Sequence, residues 1–372
     1  MAELSYGVKD HLQSFKKECS NGKKQGMQDV SWAVMFGIGN TRLRAAREIR
    51  KLTKTSSKSR ADLAALGVIP PLVSMLRSTC QEGKGAAASA LVNLAIGNER
   101  NKLSIVKAGA IDPLVQLLQS ETVGLKESAA AAIYTLSAAP CNKAVIGKSG
   151  AIPMFVEMIT SGSLQGKVDA VMTLYNLSLC PDNLQQILAA GAVGPILALL
   201  KGCKKSSKVA ERTTALLESL VAFDEGKIDL GKEKGGILAL VEVLEDGSLR
   251  SREHAVGILL CLCQSNRCRY KPAILQEGAI PGLLELTVQG TPTAQERAHS
   301  LLQLLRDSSP QSSKRGSPSH MLESIVYNIA SHVDAAEHGM ETARKVLTEM
   351  VQLSMEQNMR HLHQRAGLVH SN

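Results

Sequence analysis

The sequence predicts an all-α fold, a right-handed superhelical solenoid of about six to seven helical repeats of about 42 residues with a C-terminal helical extension. Three observations predict it. The phrases KAGAIDPLVQLL (107–118), KSGAIPMFVEMI (148–159) and AAGAVGPILALL (189–200) nearly repeat one another, and their glycine aligns as Gly67, Gly109, Gly150, Gly191, Gly235 and Gly278, at steps of 42, 41, 41, 44 and 43 residues. A second column, the third position of a Leu-x-Asn-Leu pattern, falls at Lys51, Asn93, Thr135, Asn176, Ser219, Cys261 and Gln303, 41 to 43 residues apart. Aromatic residues make up only 3% of a chain that is 44% hydrophobic, the balance expected when small and branched aliphatic side chains pack helix against helix. Propeller blades of similar length would need alternating strands and aromatic signatures that this sequence lacks.

Each unit reads as three helices. A short first helix is expected to start near an N-cap asparagine (Asn101, Asn142, Asn183), whose side chain accepts from free backbone N–H groups, and to end at the aligned glycine, which takes the left-handed conformation without a Cβ clash. Proline at 70, 113, 153, 195 and 281 then suits the first turn of a second helix, where the missing N–H has no intrahelical acceptor. The apolar stripe of that helix, such as Leu114, Val115, Leu117 and Leu118, continues the core. A polar linker such as TSGSLQGK (160–167) leads into a longer third helix such as VDAVMTLYNLSL (168–179).

The wording GAIxPLVxLL, followed by AAxALxNLS and an Asn-Lys helix start, resembles armadillo repeats, specifically those of plant U-box ubiquitin ligases and of their relatives without a U-box. The resemblance covers roughly residues 30–307. It implies an armadillo solenoid whose third helices line a concave groove that holds partners in an extended conformation. No separate stretch of about 70 residues precedes the first third helix at about 41–53, so the ligase module is expected to be absent. Armadillo import receptors carry a tryptophan four residues before each groove asparagine. The matching positions here are Arg47, Ser89, Ala131, Met172, Ala215, Gly257 and His299, and only Asn93 and Asn176 keep the asparagine, which argues against an import-receptor role.

The ends differ from the repeats. Residues 1–29 form a basic leader, and residues 1–60 hold thirteen Lys/Arg against five Asp/Glu, or +8 of the net +9. Its KKECSNGKK faintly resembles a bipartite import signal. Trp32, in the apolar stretch VSWAVMFGIG at the start of the 30–307 solenoid, is expected to cover the open face of the first repeat. A Ser/Pro-rich linker (308–319) offers Ser309 and Ser317 as candidate phosphorylation sites, and residues 320–366 read as amphipathic helices that either cap the last repeat or meet another chain. The eight cysteines show no paired framework and are read as reduced core residues of a cytoplasmic or nuclear protein.

A nucleophile elbow, a P-loop, an HExxH helix, a paired Cys/His signature and a Rossmann fingerprint are all absent from the sequence, which therefore predicts no catalysis unless a longer form carries a U-box, and neither cofactor nor metal. The candidate partner-binding groove is the column Asn93, Thr135, Asn176 and Ser219. Nine residues before that column stand Arg42, Lys84, Lys126, Lys167 and Arg252, which read either as a row of cations for an acidic or phosphorylated segment or as solvation of one edge, because nine helical residues turn the side chain to the opposite face. The expected function is a protein-interaction scaffold, with a substrate-recognition part of ubiquitin ligation as the alternative. The partner is a kinase or another acidic or phosphorylated segment, ahead of nucleic acid or a membrane surface, and the oligomeric state stays open.

Overall fold

The structure, a computed structural model, describes residues 25–306; the leader up to residue 24, Ser309, Ser317 and the expected helices of 320–366 lie outside the described residues. The chain divides into two compact units, Met1–Leu199 and Leu200–Asn372. Every regular element among the described residues is helical. The first unit begins with α1 (25–36) and α2 (Asn40–Thr53), the second and third helices of a repeat. Two complete repeats follow: α3 (Ser57–Ala65), α4 (Ile69–Met75) and α5 (Gln81–Ala95), then α6 (Glu99–Lys107), α7 (Ile111–Leu118) and α8 (Val123–Ser137). In the next, a 3-10 turn (Pro140–Asn142) leads into α9 (Lys143–Lys148), α10 (Ala151–Ser161) and α11 (Leu164–Ser178), and α12 (Pro181–Ala189) and α13 (Val193–Gly202) open the one after. The second unit holds α14 (Lys208–Val221), then α15 (Asp224–Lys232), α16 (Gly236–Asp246) and α17 (Leu249–Ser265), and finally α18 (Arg267–Gln276), α19 (Ile280–Gln289) and α20 (Pro292–Arg306).

The local rules operate as the sequence predicts. All six aligned glycines have positive φ, 67° to 81°, and Gly150 at φ 81° stands where α9 turns into α10. A side chain there would be strained, so glycine fixes the elbow. Third helices stack on one another, α2 on α5, α5 on α8 and α8 on α11 in the first unit, α14 on α17 and α17 on α20 in the second. The stacked faces are made of small and aliphatic residues, such as Ala87, Ala88, Leu91 and Leu94 of α5, all essentially inaccessible to solvent.

Three expectations are corrected. Asn101, Asn142 and Asn183 cap no helix through their side chains, although Asn142 stands at the N-cap position of α9. They sit beyond the first residue of the turn or helix, buried, and their Nδ2 groups donate backwards to the preceding repeat: Asn101 to Arg60 O (3.0 Å) and Leu94 O (2.9 Å), Asn142 to Lys102 O (3.3 Å) and Leu136 O (3.1 Å), Asn183 to Lys143 O (3.1 Å) and Leu177 O (3.0 Å). The cap of α6 is instead Asn98, whose side chain accepts from Asn101 N. In the second unit Tyr270, in the same column, donates from its hydroxyl to Lys227 O (3.1 Å). Trp32 does not cover the first repeat: Met27, Ser31 and Val34 form the buried stripe of α1, and the helical turn leaves Trp32 on the solvent side. The cysteines are not uniformly core residues, since Cys80, Cys141 and Cys268 are exposed and only Cys263 is buried among those described.

The asparagine bonds leave no room beside them. A methyl group on Gly147 of α9 would occupy the position of Asn183 Oδ1, whereas one on Gly124 of α8 meets nothing within 4 Å. Gly147→Ala is therefore expected to lower the unfolding free energy by about 2 kcal/mol or more through overpacking and loss of the bonds to Lys143 O and Leu177 O. Gly124→Ala should leave it unchanged or raise it by up to about 1 kcal/mol. Urea unfolding of the two variants beside the wild type checks the pair.

Candidate functional site

In a helix, positions four and seven residues before a reference residue lie within about 60° of one another and share a face with it. In the first unit that face of the third helices is only half covered: Ala86, Ser89 and Asn93 in α5, Ser128, Ala131 and Thr135 in α8, Met172 and Asn176 in α11. Val92, Tyr134 and Tyr175 flank it, also half-buried. Stacking brings Asn93, Thr135 and Asn176 into one row, but their polar groups are already engaged. Asn93 Nδ2 donates to Arg50 O (2.8 Å), Asn176 Nδ2 to Ser137 Oγ (3.0 Å), and the Thr135 hydroxyl to Ala131 O (2.7 Å) of its own helix. Ser219 lies in the second unit, with its hydroxyl donated to Ala215 O (3.2 Å). The groove column thus contains two amides that tie neighbouring third helices together and two hydroxyls that serve their own helix.

Charge on this face comes from α2. Arg44, Arg47 and Lys51 occupy the same three positions there, exposed, with Arg50 and Lys54 beside them. Arg47 meets Glu82 (2.9 Å) and Lys51 meets Glu48 (3.1 Å), exposed pairs that cost little to separate. Among the described residues Arg44 makes no hydrogen bond or ion pair. Farther along the face, burial pushes the Asp169 carboxyl above the usual carboxylate range, opposed by the Gln165 amide and reinforced by Glu127.

The basic column is not one set. Helices α5, α8 and α11 are continuous through Lys84, Lys126 and Lys167, so nine residues at about 100° each place these lysines on the side opposite Asn93, Thr135 and Asn176. They lie at the corner where second helix meets third, half-buried, and among the described residues they make no hydrogen bond or ion pair. Arg42 and Arg252 occupy the same corner but are bonded into the fold. Arg42 donates to Val34 O (3.1 Å), to Pro71 O (2.9 Å) and to Ser74 Oγ (2.7 Å). Arg252, with 9% of its side chain exposed, donates to Leu244 O and pairs with Glu285 (2.9 Å). A guanidinium can reach back to the second-helix carbonyl and forward to the next repeat at once, and an ammonium on one stem cannot.

The second unit presents a different face. Glu218 of α14 pairs with His254 of α17 (2.6 Å) and with Arg297 of α20 (2.8 Å), and Gly257 leaves the space that the carboxylate and guanidinium occupy. The Arg297 guanidinium is thus engaged by a carboxylate of the same unit. The one sequence signal for this cluster is the glycine at 257, at the position four residues before the groove column, and it acquires meaning only once the neighbours are known. Among the described residues no group of three or more His, Cys, Asp or Glu is placed to hold a metal ion, and burial pushes the Cys203, Cys261 and Cys263 thiols up, away from the thiolate form.

The division within the basic column has a stability consequence. Arg42→Ala and Arg252→Ala are each expected to cost about 2 kcal/mol, because they strand buried carbonyls and, for Arg252, a partly exposed carboxylate. Lys84→Ala, Lys126→Ala and Lys167→Ala should each stay within about 0.5 kcal/mol of the wild type in the same thermal or urea melts.

With this geometry in place, comparison with known proteins is specific for the repeats. The chain is 37% identical over 98 residues to U-box domain-containing protein 45 of Arabidopsis thaliana, 26% of this chain and 12% of that one. It is 39% identical over 98 residues to U-box domain-containing protein 14 of the same plant, 26% of this chain and 15% of that one. The matched stretches therefore span well under two thirds of these relatives. Among solved structures, an engineered protein superposes with TM-score 0.69 at 21% identity, over 89% of this chain and 79% of its own. A computationally designed armadillo repeat protein for modular peptide recognition superposes with TM-score 0.50 at 20% identity, over 75% and 99%. The family described as the plant U-box protein ARM repeat region matches residues 16–317, and with more than half of its length so matched and its described helices arranged as armadillo repeats, this chain belongs to that family.

Proposed function

We propose that the chain is a protein-interaction scaffold that holds an extended, acidic or phosphorylated protein segment along the half-open face of the third helices of its first unit. The observation that carries this reading is the cationic row of Arg44, Arg47, Arg50 and Lys51 on α2, continuous through the Asn93 amide with the uncharged face of α5 and α8. A segment with anionic residues at one end and small or aromatic contacts beyond it matches that gradient. The designed neighbour made for peptide recognition shares the fold only, so the weight rests on these side chains. Lys84, Lys126 and Lys167 are excluded from this contact by their position on the opposite side of their helices.

Titration of an extended glutamate- and phosphoserine-containing peptide by fluorescence anisotropy tests it. Arg44→Glu, Arg47→Glu and Lys51→Glu together should weaken binding by roughly tenfold or more and flatten its salt dependence. The corresponding triple reversal at Lys84, Lys126 and Lys167 should leave binding unchanged. Equal loss from both triple variants would show a diffuse charge effect and refute the groove.

Family membership favours one further reading, that the bound segment belongs to a protein destined for ubiquitin transfer. With a U-box ligase supplied in trans together with activating and conjugating enzymes, a substrate fused to the groove peptide should then be ubiquitinated faster in the presence of this chain. The Arg44/Arg47/Lys51 reversal should cancel the gain. No gain with an intact groove would leave a scaffold without a role in transfer.

A further inference from the structure

The only tryptophan of the chain stands in the open. Trp32 is 68% exposed, Phe36 63% and Ile38 89%, and the rings of Trp32 and Phe36 lie 4.4 Å apart between centroids. Position within the repeat does not account for this, as the register shows. Gly37 N bonds Ala33 O as Gly162 N bonds Met158 O, Gly247 N bonds Val243 O and Gly290 N bonds Leu286 O, and Arg42 reaches Val34 O as Arg252 reaches Leu244 O. In that register Trp32 stands where the later repeats have Glu157, Glu242 and Glu285, and Phe36 where they have Ser161, Asp246 and Gln289. Ile38 stands where they have Ser163, Ser248 and Thr291, each of which caps its third helix by accepting from a backbone N–H. Helix α2 has no side-chain cap. Three positions that are polar in interior repeats are thus apolar here, one of them at the expense of a helix cap, and none contributes to the core.

We propose that Trp32, Phe36 and Ile38 form a knuckle that enters the interfacial layer of an anionic membrane. Charge selects this occupant. Residues 1–60 carry +8 of the net +9, leaving +1 for the remaining 312 residues, so the knuckle sits within the one strongly cationic part of the chain. Paired aromatic rings in a stretch of thirteen Lys/Arg against five Asp/Glu suit anionic headgroups and the acyl boundary together. Lys84, at the same corner in the next repeat and unpartnered among the described residues, adds to it. Asp29 is the one carboxylate of α1 and Glu82 of the second repeat is paired with Arg47 (2.9 Å), whereas the unpaired corner carboxylates Glu121 and Glu157 belong to the third and fourth repeats, so contact is made through the first-repeat end. A second copy fits less well: three side chains offer at most about 500 Å², short of the roughly 800 Å² per partner of a stable interface. The groove reading draws on Arg44, Arg47, Arg50 and Lys51 of the same cationic stretch but on none of the three knuckle side chains.

The single tryptophan makes the test direct. With the full chain, Trp emission should shift to the blue on adding phosphatidylcholine vesicles that contain phosphatidylserine, and stay unchanged with pure phosphatidylcholine. The double variant Phe36→Ser, Ile38→Ser, which copies residues used at these positions by the fourth repeat and restores a helix cap, should keep the fold and bind the acidic peptide normally. Its partition onto anionic vesicles in co-sedimentation should fall at least about tenfold. No emission shift with anionic vesicles, or an undiminished partition of the double variant, overturns the proposal. Emission that moves to the blue with protein concentration in the absence of lipid overturns it in favour of a second copy, and emission of a buried indole at every concentration in favour of another segment of the same chain.

Discussion

Short helices end often, and every end leaves backbone carbonyls that the helix itself cannot satisfy. With helices of six to seventeen residues among those described, this chain meets that constraint at each turn of each repeat, and its solution is to answer the helix ends with side chains from neighbouring helices, most of them in an adjacent repeat. Asn101, Asn142 and Asn183 do so for third helices, through Leu94 O, Leu136 O and Leu177 O. Arg60 donates to Thr53 O, Lys54 O and Ile96 O, closing the ends of two successive third helices. Arg77 reaches Gly109 O, and Arg269 reaches Gly231 O. Each such donor also fixes the rotation between neighbouring units, because a hydrogen bond to one particular carbonyl tolerates only small displacements.

Stacking against that constraint divides the surface into regions of different chemistry. Wherever a cation is needed to close a helix end or brace a corner it is withdrawn from solvent, as at Arg42, Arg60 and Arg252, and it contributes to the fold rather than to recognition. The cations left over define what can be recognised. On α2 they face the same way as the groove amides, and at Lys84, Lys126 and Lys167 they face the opposite corner. In the second unit the pairing of Glu218 with Arg297 consumes a cation that the composition alone would count as available. A chain with net charge +9 thus presents its usable positive charge mainly at one end.

The elements that carry the two proposed contacts are unlike in how they were encoded. Asn93 and Asn176 stand out in the sequence because they recur at a fixed period, yet the period reports their bonds to the neighbouring third helix as much as any ligand. Trp32 stands out because it is single, and its position in an apolar stretch suggests burial. Helical phase reverses that suggestion, since the stripe Met27, Ser31 and Val34 occupies the packing side of α1 and leaves Trp32 and Phe36 on the other.

By itself the sequence determined the repeat, the three helices within it and the points where the chain turns, because glycine at positive φ, proline in a first turn and apolar periodicity are local rules that act over a few residues. It also placed Arg42, Lys84, Lys126, Lys167 and Arg252 in one column. Only the tertiary structure decided that the arginines of this column are braces and the lysines are not, that the first-helix asparagines are ties between repeats instead of caps, and that Gly257 makes room for an ion cluster. Those outcomes depend on which carbonyl or carboxylate lies within about 3 Å of a side chain's tip. That partner comes from a residue some thirty to forty positions away, brought there by stacking, and no local pattern records it.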